Sequence, residues 1–135
     1  MVVDASAIVE LLLGKELGRR FARVLDSGPV TLRVLGHTDS EVLSGFIKRV
    51  RRGSMTNRQA SERLRAYLLL PLVYHEAGPL LMDAWQLREN FSAYDALYVA
   101  LADRLGEPLI TADGRLARAA SAFTTVEVIS LTASS

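Results

Sequence analysis

The chain has 135 residues, of which 50% are hydrophobic and 23% charged, and its formal net charge is +1. This length suits one domain with its own core and is too short for two ordinary domains. Without cysteine, the chain has no disulfide framework, no thiolate chemistry and no zinc site with sulfur ligands. No segment approaches the roughly 20 apolar residues of a membrane-spanning helix, and the first residues do not resemble a signal peptide. We therefore expect a soluble, cytoplasmic protein that does not enter a membrane.

Hydrophobic periodicity divides the chain into short strands and longer helices. Apolar residues recur at helical spacing in seven segments, and glycines such as Gly14, Gly53 and Gly106 mark helix ends. The predicted helices span residues 7–13, 15–25, 39–52, 57–69, 78–90, 93–105 and 113–120. The predicted strands are 2–3, 30–35, 72–75, 109–111 and 125–129, and residues 131–135 are predicted to form a frayed tail.

Strands that alternate with helices predict an α/β fold, a three-layer α/β/α sandwich around a mostly parallel sheet of about five strands. The chain has no linker or internal repeat, so residues 1–135 are expected to form one domain. Crossovers between parallel strands are right-handed, which brings the carboxyl ends of all strands to the same edge of the sheet. Ligands of such sheets bind at that edge, and functional residues are therefore expected at strand ends.

Four acidic residues lie at or just after these strand ends or near helix starts: Asp4, Glu41, Asp95 and Asp113. Each has a local explanation, because carboxylates cap helix N-termini and gain from the helix dipole. Residues 38–41 and 92–95 both fit a capping box, and Asp4 and Asp113 are placed to cap the helices that follow them. Asp95 is unusual because the helix it begins is apolar nearly all round, which makes a charge there costly unless it is compensated.

Taken together, the four acids point to a metal site. Carboxylates that crowd one crevice repel each other unless a cation neutralises them. Oxygen ligands without histidine or cysteine suit Mg²⁺ or Mn²⁺, which keep several waters. Such a site supports hydrolysis of a phosphodiester without a nucleophilic side chain.

Basic residues are concentrated between Ser40 and Arg65, where seven stand against two acidic residues. Lys48 and Arg52 follow Glu41 at helical spacing, and Gly45 leaves the same helix face bare. The patch either binds the phosphates of a nucleic acid or forms the solvated face of two surface helices.

Four segments together carry a family resemblance: VVDAS at 2–6, SEVLSGFIKR at 40–49, SAYDALYVALADRLG at 92–106 and LITADGRLARAA at 109–120. With them the sequence resembles the PIN-domain ribonucleases, most closely the VapC-type toxins of bacterial toxin–antitoxin pairs. The resemblance covers nearly the whole chain, and the last two segments at this separation are its most specific part.

The resemblance implies a metal-dependent endoribonuclease that acts as a growth-inhibiting toxin. Asp4, Glu41, Asp95 and Asp113 match the family's acidic metal site for Mg²⁺ or Mn²⁺. Ser6 and Thr111 match its hydroxyl positions, which hydrogen-bond the carboxylates or a metal-bound water. The resemblance also implies an RNA substrate, a homodimer and a VapB-type antitoxin that occupies the active-site groove.

The sequence departs from the family pattern in three places. Ser44 replaces a frequent asparagine, Gly36 and His37 replace the usual proline, and no acid follows Asp113 within one turn. The last departure leaves undecided whether the site holds a second metal ion. Arg115 either faces phosphate or is solvated.

Several other residues are set aside on their spacing. His37 and His75 lack partners for a Ser-His-Asp arrangement, and Asp39 is expected to cap a helix. Four larger side chains are assigned to the core or to a dimer surface: Tyr67, Tyr74, Met82 and Trp85.

Two other functions remain open. A non-catalytic RNA-binding or scaffolding protein of the same fold would have no reason to keep four acids that repel each other. A phosphatase that uses Asp4 as a covalent nucleophile needs a phosphate-binding lysine and a second pair of strand-end acids, and neither spacing is evident.

Overall fold

The computed structural model describes residues 1–133. Five strands form one sheet in the order β3-β2-β1-β4-β5, and every pairing is parallel. The strands are β1 (Val2–Val3), β2 (Leu32–Leu35), β3 (Leu72–His75), β4 (Leu109–Thr111) and β5 (Val128–Ser130). The helices are α1 (Ala5–Leu13), α2 (Glu16–Leu25), α3 (Gly36–Arg51), α4 (Asn57–Leu68), α5 (Leu81–Trp85), α6 (Ala93–Leu105) and α7 (Gly114–Phe123).

The side chains of the central strands alternate between two hydrophobic clusters, one on each face of the sheet. Val2 and Leu109 pack with α5, α6 and α7, whereas Val3 and Ile110 pack with α1 to α4. All four of these side chains are fully buried. This alternation is the period of two that a strand imposes on its side chains, and it confirms the predicted three-layer sandwich.

The segment around α6 matches its predicted bounds. Ser92 caps the helix by accepting a hydrogen bond from the backbone N–H of Asp95, and Gly106 ends it in the left-handed conformation at φ 62°. Positive φ is costly for residues with a Cβ, so glycine is the natural stop. Seven consecutive residues of α6 are buried, from Ala96 to Ala102. The helix therefore lies inside the molecule with only its ends near the surface.

The start of α3 was predicted wrongly. The helix begins at Gly36, directly after β2, and not at Asp39. Thr38 explains the difference, because its hydroxyl accepts a hydrogen bond from the backbone N–H of Leu35 at 3.1 Å. The polar cluster taken for a capping box therefore lies inside the helix, and Glu41 is in its second turn.

The end of the chain also differs from the prediction. Leu131 is only 2% exposed, and the guanidinium of Arg20 donates hydrogen bonds to the carbonyls of Leu131 at 2.9 Å and Ala133 at 3.1 Å. The expected frayed tail is therefore wrong for residues 131–133, and residues 134–135 lie outside the described part. Among residues 1–133, no helix is both long and apolar enough to cross a membrane.

Candidate active site

Asp4 lies directly after β1 and is only 4% exposed. Its Oδ1 accepts hydrogen bonds from the backbone N–H of Ala7 at 3.0 Å and from the Ser6 hydroxyl at 2.7 Å. Its Oδ2 accepts one from the Thr111 hydroxyl at 2.5 Å. Asp4 is therefore the N-cap of α1 and, at the same time, a buried carboxylate held by two hydroxyls.

The hydroxyl of Thr111 connects this carboxylate to the next one along the sheet edge. It lies 3.2 Å from the Ser6 hydroxyl and accepts a hydrogen bond from the backbone N–H of Asp113 at 3.0 Å. Oδ1 of Asp113 in turn accepts hydrogen bonds from the backbone N–H groups of Arg115 at 2.9 Å and Leu116 at 3.2 Å. Asp113 is thus the N-cap of α7, as the capping interpretation predicted.

Asp95 lies in the first turn of α6 and faces a cavity of about 340 Å³. Ser92, Arg88 and Arg115 also line this cavity. Glu89 lines it as well, so the lining contains two acidic residues and two arginines. A phosphate that is also in contact with a cation fits such a mixed lining.

Glu41 projects from the second turn of α3 and is held by a side chain from α6. Its Oε1 accepts a hydrogen bond from the Tyr98 hydroxyl at 2.8 Å. Nε2 of His37, one turn earlier, lies 3.5 Å from the same oxygen and has no hydrogen-bond partner within residues 1–133. The His37 ring packs between Tyr94 and Tyr98, with centroids 5.0 and 4.8 Å away, and burial lowers its pKa.

Glu41 also faces a second cavity, of about 260 Å³. Ser6, Gly45, Glu10 and Arg49 line it as well. A Cβ at Gly45 would lie 3.3 Å from the Val9 side chain, so glycine keeps this helix face close to α1. Gly45, on the α3 face that was expected to be bare, thus packs close to α1 and also lines the cavity beside Glu41.

The basic side chain in that cavity is Arg49, which sequence reasoning missed. Its guanidinium donates a hydrogen bond to the Gly45 carbonyl at 3.1 Å. Positions 41, 45 and 49 are four residues apart and share a helix face, which is the signal that identifies Arg49. Lys48 and Arg52 are exposed and do not line this cavity, and their RNA-binding role stays a prediction.

Asp4, Glu41 and Asp95 have raised pKa values, and burial is the largest cause of each rise. Burial raises the pKa of Asp4 to about 6, against the hydrogen bonds from Thr111, Ala7 and Ser6 that lower it, and the charge of Asp95 adds to the rise. Burial also raises the pKa of Glu41, and the charges of Asp4 and Asp95 raise it further. The pKa of Asp95 is raised by burial and by the charge of Asp113. The four acids thus form one electrostatically coupled group.

This coupled group fits a hard cation bound largely through water. Within residues 1–133, no three histidine, cysteine, aspartate or glutamate side chains lie close enough to hold one ion directly. Mg²⁺ keeps several waters and often binds through one or two carboxylates plus substrate phosphate. In the described part of the chain, Oε2 of Glu41 and Oδ2 of Asp113 accept no hydrogen bond and are available for such contacts.

Asp39 has a different role from the predicted cap. It lies inside α3, and its Oδ1 accepts hydrogen bonds from the hydroxyls of Tyr67 and, at 2.8 Å, Tyr74. Tyr67 is buried and Tyr74 is half exposed. Asp39 therefore joins α3 to α4 and β3, and it is not among the four coupled acids.

Comparison with known proteins agrees with this fold. The family model described as PIN domain matches residues 1–122. The ribonuclease VapC12 of Mycobacterium tuberculosis is 36% identical over 129 residues, which is 96% of this chain and 98% of that protein.

Two solved structures share the fold. PAE2754 from Pyrobaculum aerophilum is 25% identical with a TM-score of 0.68 and covers 94% of this chain and 81% of its own. A toxin–antitoxin complex from Klebsiella pneumoniae is 17% identical with a TM-score of 0.64 and covers 96% of both chains, which shows the fold alone. By its family model and its curated relative, the chain belongs to the PIN domain family, among the VapC-type ribonucleases.

Proposed function

We propose that the protein is a metal-dependent endoribonuclease and the toxin of a toxin–antitoxin pair. The observation that carries this proposal is the coupled group of four carboxylates, which come from four separate parts of the chain. Three of them have pKa values raised by burial, and each of these is raised further by the charge of at least one other member. A protein keeps such repulsion at a site where a cation relieves it.

Asp4, Asp95 and Asp113 would hold Mg²⁺ or Mn²⁺, directly or through water, with Glu41 as a further ligand or as the group that orients the attacking water. The bound cation would activate water and offset the charge that develops on the phosphate. Ser6 and Thr111 hold the Asp4 carboxylate at the base of this group. Arg115 lines the cavity that Asp95 faces, and Arg49 lines the cavity that Glu41 faces. Both arginines would orient the RNA backbone.

Hydrolysis requires that a water oxygen bonds to phosphorus while one P–O ester bond breaks. The water loses a proton and the leaving oxygen gains one. Glu41 is the candidate acceptor of the water proton, because burial and neighbouring charges raise its pKa and make its carboxylate more basic.

Cleavage of total cellular RNA by the purified protein tests this proposal. Wild type is expected to give discrete fragments with Mg²⁺ or Mn²⁺ and none with EDTA. Asp95→Asn is expected to abolish cleavage. Asp103→Asn makes the same chemical change at the exposed far end of α6 and serves as the matched control. Fragments that form equally with Asp95→Asn, or in EDTA, would refute the proposal.

The toxin role adds an antitoxin partner and a cytoplasmic site of action. Its support is the similarity to the VapC12 ribonuclease and the shared fold of the toxin–antitoxin complex. Expression of wild type is expected to arrest growth, whereas Asp95→Asn does not. Co-expression of a small neighbouring reading frame is expected to restore growth and to yield a complex that co-purifies.

A homodimer is part of the same proposal. The exposed apolar side chains of α5 support it, since Leu81, Met82 and Trp85 are 58%, 71% and 56% exposed. Sedimentation of wild type beside Trp85→Arg tests it, and a wild type that sediments as a monomer at all concentrations contradicts it.

A non-catalytic RNA-binding role is the second candidate. It is favoured by the fact that Asp4 and Asp113 cap helices, so that part of the acidic group has a structural use. RNA binding without cleavage by wild type, in the presence of Mg²⁺ or Mn²⁺, would select this role.

A further inference from the structure

Tyr98 is a fully buried residue in the middle of α6 whose hydroxyl group reaches the acidic group. It is 1% exposed. Its hydroxyl oxygen lies 2.7 Å from the hydroxyl of Thr38 and 2.8 Å from Oε1 of Glu41. Thr38 is itself fully buried at the start of α3. A tyrosine from one side of the sheet thus contacts a carboxylate carried by a helix on the other side.

The direction of each hydrogen bond in this network follows from donor and acceptor chemistry. An ionised carboxylate only accepts, so Tyr98 donates its single proton to Glu41. The Tyr98 oxygen then accepts the proton of Thr38. The Thr38 oxygen accepts from the backbone N–H of Leu35 at 3.1 Å. The network therefore begins on the backbone at the end of β2 and ends on Oε1 of Glu41, with no hydroxyl left to rotate.

Glu41 needs such support because its side chain has three rotatable bonds and is 34% exposed. Ordering a glutamate side chain costs conformational entropy. A buried partner that fixes one oxygen removes most of that freedom in advance. Partners of this kind orient ligating carboxylates at metal sites.

We propose that Tyr98 is a positioning residue for Glu41: it holds Oε1 and leaves Oε2 to orient the attacking water. This inference rests on the proposed endoribonuclease function. Thr38 supports it by fixing the Tyr98 hydroxyl. Tyr98 does not touch RNA in this role and acts only through Glu41.

Tyr98→Phe tests the proposal because it removes one oxygen and keeps the buried ring. The kcat for RNA cleavage is expected to fall about 10- to 100-fold, the usual effect of losing such a partner, with KM for RNA unchanged. Tyr94→Phe is the matched control on the same helix, because Tyr94 is 57% exposed and its hydroxyl makes no hydrogen bond within residues 1–133. Its kcat is expected to match wild type.

A second variant separates positioning from a general loss of structure. Thr38→Val leaves Tyr98 able to donate to Glu41, so its kcat is expected to fall less than that of Tyr98→Phe. Because both act through one network, the double variant is expected to be no slower than Tyr98→Phe alone. Electron paramagnetic resonance without RNA measures Mn²⁺ binding independently of cleavage. Tyr98→Phe is expected to bind as many Mn²⁺ ions per protein as wild type.

Three results would overturn the proposal. These are a kcat of Tyr98→Phe within twofold of wild type, losses in the two single variants that multiply in the double variant, and a loss of Mn²⁺ binding that matches the loss of kcat. A wild type that cleaves no RNA refutes the proposed function and this inference together. An active wild type with an unaffected Tyr98→Phe refutes the inference alone.

Discussion

Asp4→Asn is expected to make the metal-free protein more stable at neutral pH while it removes the activity. Burial raises the pKa of Asp4 from its ordinary value of 3.8 to about 6. At about 1.4 kcal/mol for each pH unit, this difference corresponds to about 3 kcal/mol of unfolding free energy. Because the folded-state pKa is the higher one, this stability is present below pH 3.8 and is lost as the pH rises through about 6.

The net effect of the substitution is smaller than this. Asparagine carries no charge, so the cost of the ionised carboxylate above pH 6 disappears. Its amide nitrogen cannot accept the hydrogen bond that Thr111 donates to Oδ2, which costs about 1 kcal/mol. We therefore expect a gain of about 2 kcal/mol at pH 8 and little or none at pH 4.5.

Urea denaturation of wild type and Asp4→Asn in EDTA, from pH 4.5 to 8, measures this difference. Asp103→Asn is the control, since an exposed acid is expected to leave the difference from wild type small and constant with pH. The reasoning is refuted if Asp4→Asn is the less stable protein at pH 8, or if its difference from wild type does not change with pH.

Three further predictions follow from the structure. Gly18→Ala is expected to cost about 1–3 kcal/mol in urea denaturation, because a Cβ there would lie 2.2 Å from the Glu10 carbonyl oxygen and α2 would have to move away from α1. Mg²⁺ at 100 times its dissociation constant is expected to stabilise wild type by about 2.7 kcal/mol and Asp95→Asn by less, and equal shifts would contradict a site at Asp95. Lys48→Ala combined with Arg52→Ala is expected to weaken RNA binding and its salt dependence, and unchanged binding would assign both to a solvated surface.

The sheet and the buried helix could be predicted because their signals are local. The apolar run of α6 is bounded by Ser92 and Gly106, and β4 begins directly after Pro108. The observed order of the strands places β3 at one edge of the sheet. Parallel pairing then brought Asp4 and Thr111 together from opposite ends of the sequence.

The remaining features depend on contacts that no local pattern contains. β2 begins at Leu32 and not at residue 30, and β5 begins at Val128 and not at residue 125. The network from Thr38 through Tyr98 to Glu41 joins residues about 60 positions apart. His37 was set aside because the sequence offers it no partner for a Ser-His-Asp arrangement. In the observed helix it lies one turn before Glu41, which brings its ring to that carboxylate.

Because β1 lies in the middle of the sheet, the acidic group cannot assemble before the strands on both sides of β1 have been synthesised. β1 pairs with β2 on one side and with β4 on the other, and the Asp4 carboxylate is held by Thr111, 107 positions later. Contacts so distant in sequence form slowly and only after both partners have been synthesised. A growing chain therefore carries its first acidic residue on an incomplete sheet until β4 has left the ribosome. During that interval the nascent chain has no assembled acidic group with which to cut the RNA around it.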